Sequence, residues 1–167
     1  MEIIKITIPA LIVFLTVYFL MKNHYKQILT LESIKLKKDT STSTLPLRLQ
    51  AYERLALFCE RISPENLLLR LRKSGMSGKD LQNLLLLAIK QEYDHNLTQQ
   101  IYVSESLWNI IQLCKDRIME LISAAGKAKD ADDPDVFSDI LLKAFEENNP
   151  VKTAQKAIRK EVELYFN

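Results

Sequence analysis

Sixteen consecutive uncharged residues, Ile6 to Met21, open this chain and constrain it more than any other feature. Within "IIKITIPALIVFLTVYFLM", residues 3 to 21, the only polar interruptions after Lys5 are two threonines and the tyrosine Tyr18. Coiled as a helix, nineteen residues cover about 28 Å, close to the ~30 Å hydrocarbon core of a bilayer. Lys5 stands where it can reach the headgroups, and Pro9 falls in the first turns, where a lost backbone bond is tolerated best. Tyr18 and Tyr25 mark the opposite boundary, as interfacial aromatics do. A cleaved signal peptide fits less well. The apolar stretch is long, and "KNHYKQ" follows it with no small-residue cleavage pattern. A buried core helix is the weaker alternative. The expectation is an uncleaved anchor over residues 1–22.

The flanks give the anchor a direction. Lys22, Lys26, Lys35, Lys37 and Lys38 follow it against one acid, Glu32, while Lys5 and the amino terminus precede it with Glu2. The positive-inside rule then places the carboxyl side in the cytoplasm and the amino terminus outside, as a single-pass protein of an inner membrane. The five lysines are also candidate contacts for anionic headgroups. Residues 23–44 are expected to hold a juxtamembrane helix, striped by Ile28, Leu31, Ile34 and Leu36, and then a polar linker, "DTSTST". The stripe suits pairing with another helix, lying on the bilayer or folding back on the domain.

From residue 45 to 167 the pattern is helical throughout. Only three glycines are present, too few for a turn-rich β fold or a Gly-rich phosphate cradle. Leu49, Tyr52, Leu55, Ala56, Cys59 and Ile62 recur at helical spacing to about Arg61. Ser63-Pro64 restarts a helix expected to end at Gly75, and Ser77 with Asp80 makes a capping-box pattern. The leucines Leu84 to Leu87 with Ile89 place the next helix in the middle of a bundle. Tyr93, Leu97 and Ile101 extend it to about Tyr102, and Ser104 caps its successor. There Leu107, Ile111, Cys114, Ile118, Leu121 and Ala125 form a narrow seam. "GKAKDADDPD" is a charged loop, Asp133-Pro134 opens a helix, and "NNP" separates it from a last one carrying Val151, Ala154, Ile158, Val162 and Tyr165. The fold class is all-α: an N-terminal transmembrane helix followed by a five- or six-helix soluble bundle. Cys59 and Cys114 each fall on an apolar helix face and are expected as buried free thiols, consistent with a reducing compartment.

Chemistry is harder to find. No metal-ligand spacing, calcium loop or serine nucleophile motif occurs, so no catalytic, cofactor or metal residues are assigned and no cofactor is expected. An enzyme using Asp94 and His95 would lack a nucleophile or metal beside them. The net charge of +2 excludes a global argument for nucleic acid. Seven basic residues from Arg48 to Lys79 nonetheless leave a lipid- or nucleic-acid-binding module as the alternative reading. Arg70, Arg72 and Lys73 are its candidate anionic-surface contacts. The helix that would enter a DNA groove is largely leucine, which disfavours nucleic acid. The polar joint "QEYDHNLTQQIYVSESLW" supplies a candidate partner surface: Asp94, His95, Asn96, Gln99, Gln100 and Tyr102.

The N-terminal span, the lysine-rich exit and "YDHNLTQQIYVSESLW" leading into a long helix resemble a family of small single-span bacterial membrane proteins with no known activity. The resemblance implies a bacterial inner-membrane setting and carries no functional residues with it. The expected function is that of a membrane-tethered helical interaction or scaffold protein. It would be an accessory subunit whose partners are the bilayer and a membrane protein or a second copy.

Overall fold

The computed structural model describes the backbone of residues 2–164, and side chains at residues 14–22, 24–26 and 44–164. The chain forms two compact units, Met1–Pro46 and Leu47–Asn167. Its helices are α1 (Glu2–Arg61), α2 (Pro64–Leu71), α3 (Gly78–Asn96), α4 (Glu105–Ala125), α5 (Pro134–Glu147) and α6 (Pro150–Glu163), with a 3-10 turn over Leu97–Ile101. No strand occurs among the described residues, so the chain is all-α.

Within Met1–Pro46, Phe14 to Met21 are exposed, as are Lys22, Tyr25 and Lys26. Tyr18 meets Phe19 edge to face, and Lys22 Nζ lies 5.9 Å from the Tyr18 ring centre. Among the described residues no helix is long and apolar enough to cross a membrane. Much of the expected span, residues 3–13, has side chains outside the described residues, as do the stripe Ile28, Leu31, Ile34, Leu36 and the lysines Lys35, Lys37 and Lys38. Residues 39–44, read as a linker, are helical and part of α1. The reason is physical: six polar residues without Gly or Pro cost only tenths of a kcal/mol each in a helix, and extending a helix needs no new nucleus.

In Leu47–Asn167, α4 is the hub, packed against α3, α5 and α6, while α3 also contacts α2 and α5. The shared core includes Leu55, Phe58, Ile62, Leu67, Leu85, Ile111, Ile118, Phe137 and Phe145. Each such side chain contributes roughly 1.5–3 kcal/mol by leaving water. The α4 seam is nearly as its spacing suggests, with one shift. Ile122 is fully buried and Leu121 only partly, because 3.6 residues per turn drifts from a strict seven-residue repeat.

The caps set the boundaries. Ser77 Oγ accepts from Asp80 N–H at 3.1 Å and donates to Asp80 Oδ2 at 2.8 Å. Ser104 Oγ accepts from Leu107 N–H, Asp133 Oδ1 from Asp135 N–H, and Asn149 Oδ1 from Lys152 N–H. Ser63 stands at an N-cap position, yet its hydroxyl accepts instead from Asn66 Nδ2, which also donates to Glu60 O at the end of α1. α2 stops at Leu71 rather than Gly75, since Arg72 is already extended. Gly75 takes φ +81°, a conformation other residues rarely adopt. Gly78 is buried, its N–H donating to Asp132 O at 2.6 Å. A Cβ there would meet Ala131 O at 1.9 Å, so only glycine lets the charged loop close on α3.

Candidate functional site

A convergence of basic groups lies between the end of α1 and the end of α3. On α1, Leu55, Phe58 and Cys59 turn inward, which leaves Arg54, Leu57 and Arg61 on the outer face at three- and four-residue spacing. On α3, Leu85 and Ile89 fix the helix to the core, and Glu92, His95 and Asn96 share a face one turn apart. The two faces border a groove of about 390 Å³ with Phe58 in its wall.

Glu92 organises this groove. Its Oε1 lies 3.2 Å from Arg61 Nε and 3.7 Å from Arg70 Nη1. Arg70 also donates to the Arg61 carbonyl at 3.3 Å, so it stabilises the negative end of α1 as well as the carboxylate. Asn96 Nδ2 donates to Glu92 O, and His95 Nδ1 lies 2.7 Å from Gln91 O. A carbonyl can only accept, so Nδ1 carries the proton and Nε2 is left as an acceptor. Both side chains fold back on carbonyls one turn earlier, and α3 then tightens into the 3-10 turn instead of continuing as an α-helix to Tyr102. Arg54 is exposed and has no acidic partner among the described residues. Arg61 and Arg70 thus flank one carboxylate, and Arg54 lines the same groove.

Of the six polar-joint residues, His95 and Asn96 reach this groove. Asp94 and Gln100 are exposed elsewhere on the joint, and Tyr102 is partly buried. Gln99 is packed inward, 6% exposed, with Nε2 donating to Thr98 Oγ1. Of the candidate anionic-surface contacts, Arg70 is engaged with Glu92 and Arg72 with Asp135. Lys73 lines a second groove of about 800 Å³ between α2 and α5, beside the 87% exposed Leu69. Arg72 and Lys73 face Glu65, Asp135 and Asp139 there, so the acids outnumber the cations. Sequence reasoning counted Arg54 and Arg61 only as members of a basic segment and missed Leu57 and Glu92 as groove residues. The seven-residue spacing of the two arginines was the available signal. Their meeting with α3 was not encoded locally.

Behind the groove the packing is firm. Tyr93 stacks on Trp108 at 5.7 Å, Lys115 Nζ sits 4.5 Å from the Tyr93 ring centre, and Gln112 Nε2 donates to the Tyr93 hydroxyl. Phe58 lies 6.3 Å from Tyr93, so the groove wall belongs to this aromatic cluster.

The fold and groove define an all-helical protein with a basic surface cleft. The chain belongs to the DUF7935 family, a family of unknown function that matches residues 1–165. No curated protein and no solved structure matches it.

Proposed function

We propose that the chain is a membrane-tethered helical interaction protein whose contact face is the groove of Arg54, Leu57, Arg61, Glu92, His95 and Asn96. The observation that carries the reading is this groove, where two separate polar regions of the sequence meet around the exposed Leu57. An exposed apolar side chain ringed by arginines has the composition of an interaction hot spot. The tether rests on the uncharged run Ile6–Met21 and the lysines after it, with the domain on the cytoplasmic side of a bacterial inner membrane. Confinement to the bilayer raises the effective concentration of the domain toward other membrane-bound chains, so a modest groove suffices for assembly.

The test places a photoreactive phenylalanine analogue at Leu57 of the full chain in native membranes, and a control at Leu113, which is exposed on α4 away from the groove. The reading expects a discrete crosslinked product, to a membrane protein or a second copy, from position 57 only. Equal products from both positions, or none from position 57, would overturn it.

A further inference from the structure

We propose that the α1–α3 groove binds a phosphate dianion, a phosphomonoester in chemical class, between the guanidinium groups of Arg54 and Arg61. The inference rests on the reading of this groove as the working face and names what it recognises.

The charge count comes first. Glu92 is the single carboxylate lining the groove, and Arg61 and Arg70 both already lie against it. One of these cations neutralises Glu92, and Arg54 adds a further positive charge with no acidic partner among the described residues. Arg54, Arg61 and the neighbouring Arg70 against Glu92 leave about two net positive charges at the groove and its edge, which suits a dianion.

Geometry selects the kind of anion. Arg61 meets Glu92 through Nε, and its two terminal nitrogens make no hydrogen bond among the described residues. Arg54 stands seven residues earlier on the same face, about 10 Å along the axis, a gap that two long stems can close over one tetrahedral group. Guanidinium forks favour phosphate oxygens because two parallel N–H groups meet two oxygens. His95, held by its Nδ1 contact to Gln91 O, lines the same groove, so its ring signals report on an anion bound there. Asn96 is not available to the ligand through its amide nitrogen, which donates to Glu92 O. Leu57, 54% exposed between the two arginines, leaves room for an apolar substituent on the phosphate.

That combination suits either a free phosphorylated small molecule or the headgroup of an anionic lipid, and the test separates the two. The full chain in neutral detergent, labelled at histidine and arginine side chains, is titrated with inorganic phosphate and with dihexanoyl phosphatidic acid, while chloride holds ionic strength constant. The expected result is saturable movement of the His95 and Arg54 signals. Arg54→Gln, at an exposed position without a partner to orphan, should weaken binding by about tenfold or more, the size of a lost charge-assisted hydrogen bond. Arg54→Lys should restore part of it. If the short-chain lipid binds at least about tenfold tighter and Leu57→Ser removes the difference, the source is a lipid headgroup, since that is the scale of one buried apolar side chain. Equal affinities assign a free phosphate ligand. Shifts that do not saturate, that chloride reproduces, or that Arg54→Gln leaves unchanged overturn the proposal. A groove crosslink from position 57 without phosphate binding would remove this inference alone, whereas phosphate binding without a crosslink would remove the protein-contact reading and leave the groove a ligand site.

Discussion

Tyr52 of α1 donates a 3.0 Å hydrogen bond to Glu161 of α6, joining residues 109 positions apart. The same carboxylate accepts the Ser104 N–H at 2.9 Å and the Ser104 hydroxyl, where α4 begins. One side chain therefore fixes α6 against both α1 and the positive end of the hub helix. Glu161→Ala should destabilise the domain by about 1 kcal/mol, because the part-buried Tyr52 hydroxyl loses the Glu161 carboxylate while water replaces it at the exposed Ser104. Urea unfolding followed by Trp108 fluorescence checks this, since Trp108 is the single tryptophan. An unchanged midpoint would contradict it.

Tyr52 predicts a pH dependence of its own. Burial first, then the hydrogen bond to Glu161 and its charge, push the phenol up to about 12, with Arg48 opposing. The unfolded phenol titrates near about 10. Because the folded value is the higher one, the contribution is complete below pH ~10 and is lost as pH rises towards 12. Tyr52→Phe should therefore be less stable than the parent at pH 8, and the gap should narrow through that alkaline window. Parallel alkaline titrations of stability that keep a constant gap would refute the assignment.

Gly78 and Gly126 should respond differently to alanine. At Gly78 the new Cβ meets backbone, the Ala131 carbonyl at 1.9 Å. Overpacking of this kind costs about 1–3 kcal/mol or more. At Gly126 the obstacle is the Gln82 side-chain end at 2.3 Å, which can swing away. Gly126→Ala should stay within about 1 kcal/mol of the parent, the usual range for a site without a rigid clash. Thermal melts of the two variants decide it, and equal losses would contradict the contrast.

Cys59 and Cys114 are both buried free thiols, on α1 and α4. The side-chain hydrogen bond to Cys114, and then burial, push the Cys59 thiol far above its ordinary range, so its thiolate is absent at neutral pH. A thiol-reactive dye should label neither cysteine of the folded domain and both in strong denaturant. Rapid labelling without denaturant would show that this part of the core opens.

The helix starts were legible because their chemistry is local. Ser77, Ser104, Asp133 with Pro134, and Asn149 with Pro150 each announce a cap within three residues. Buried positions such as Leu55, Ile111 and Phe137 were legible from periodicity. The helical state of residues 39–44 was not, since polarity marks exposure and not conformation. The groove was half legible. His95 and Asn96 drew attention as a polar joint, and Arg54 and Arg61 as part of a basic segment. Nothing within either segment specifies that they face each other, because that depends on how α1 and α3 pack through Phe58 and Tyr93. Glu161 was missed for the same reason: its three donors lie on α1 and at the start of α4.

The central claim is that the run Ile6–Met21 holds this domain on a bilayer. The direct measurement is extraction of membranes carrying the full chain, first with high salt and then with alkaline carbonate, beside a variant lacking residues 3–21. The account predicts that the full chain stays in the membrane pellet through both washes and that the deletion variant is released. A full chain released by salt or carbonate would contradict it.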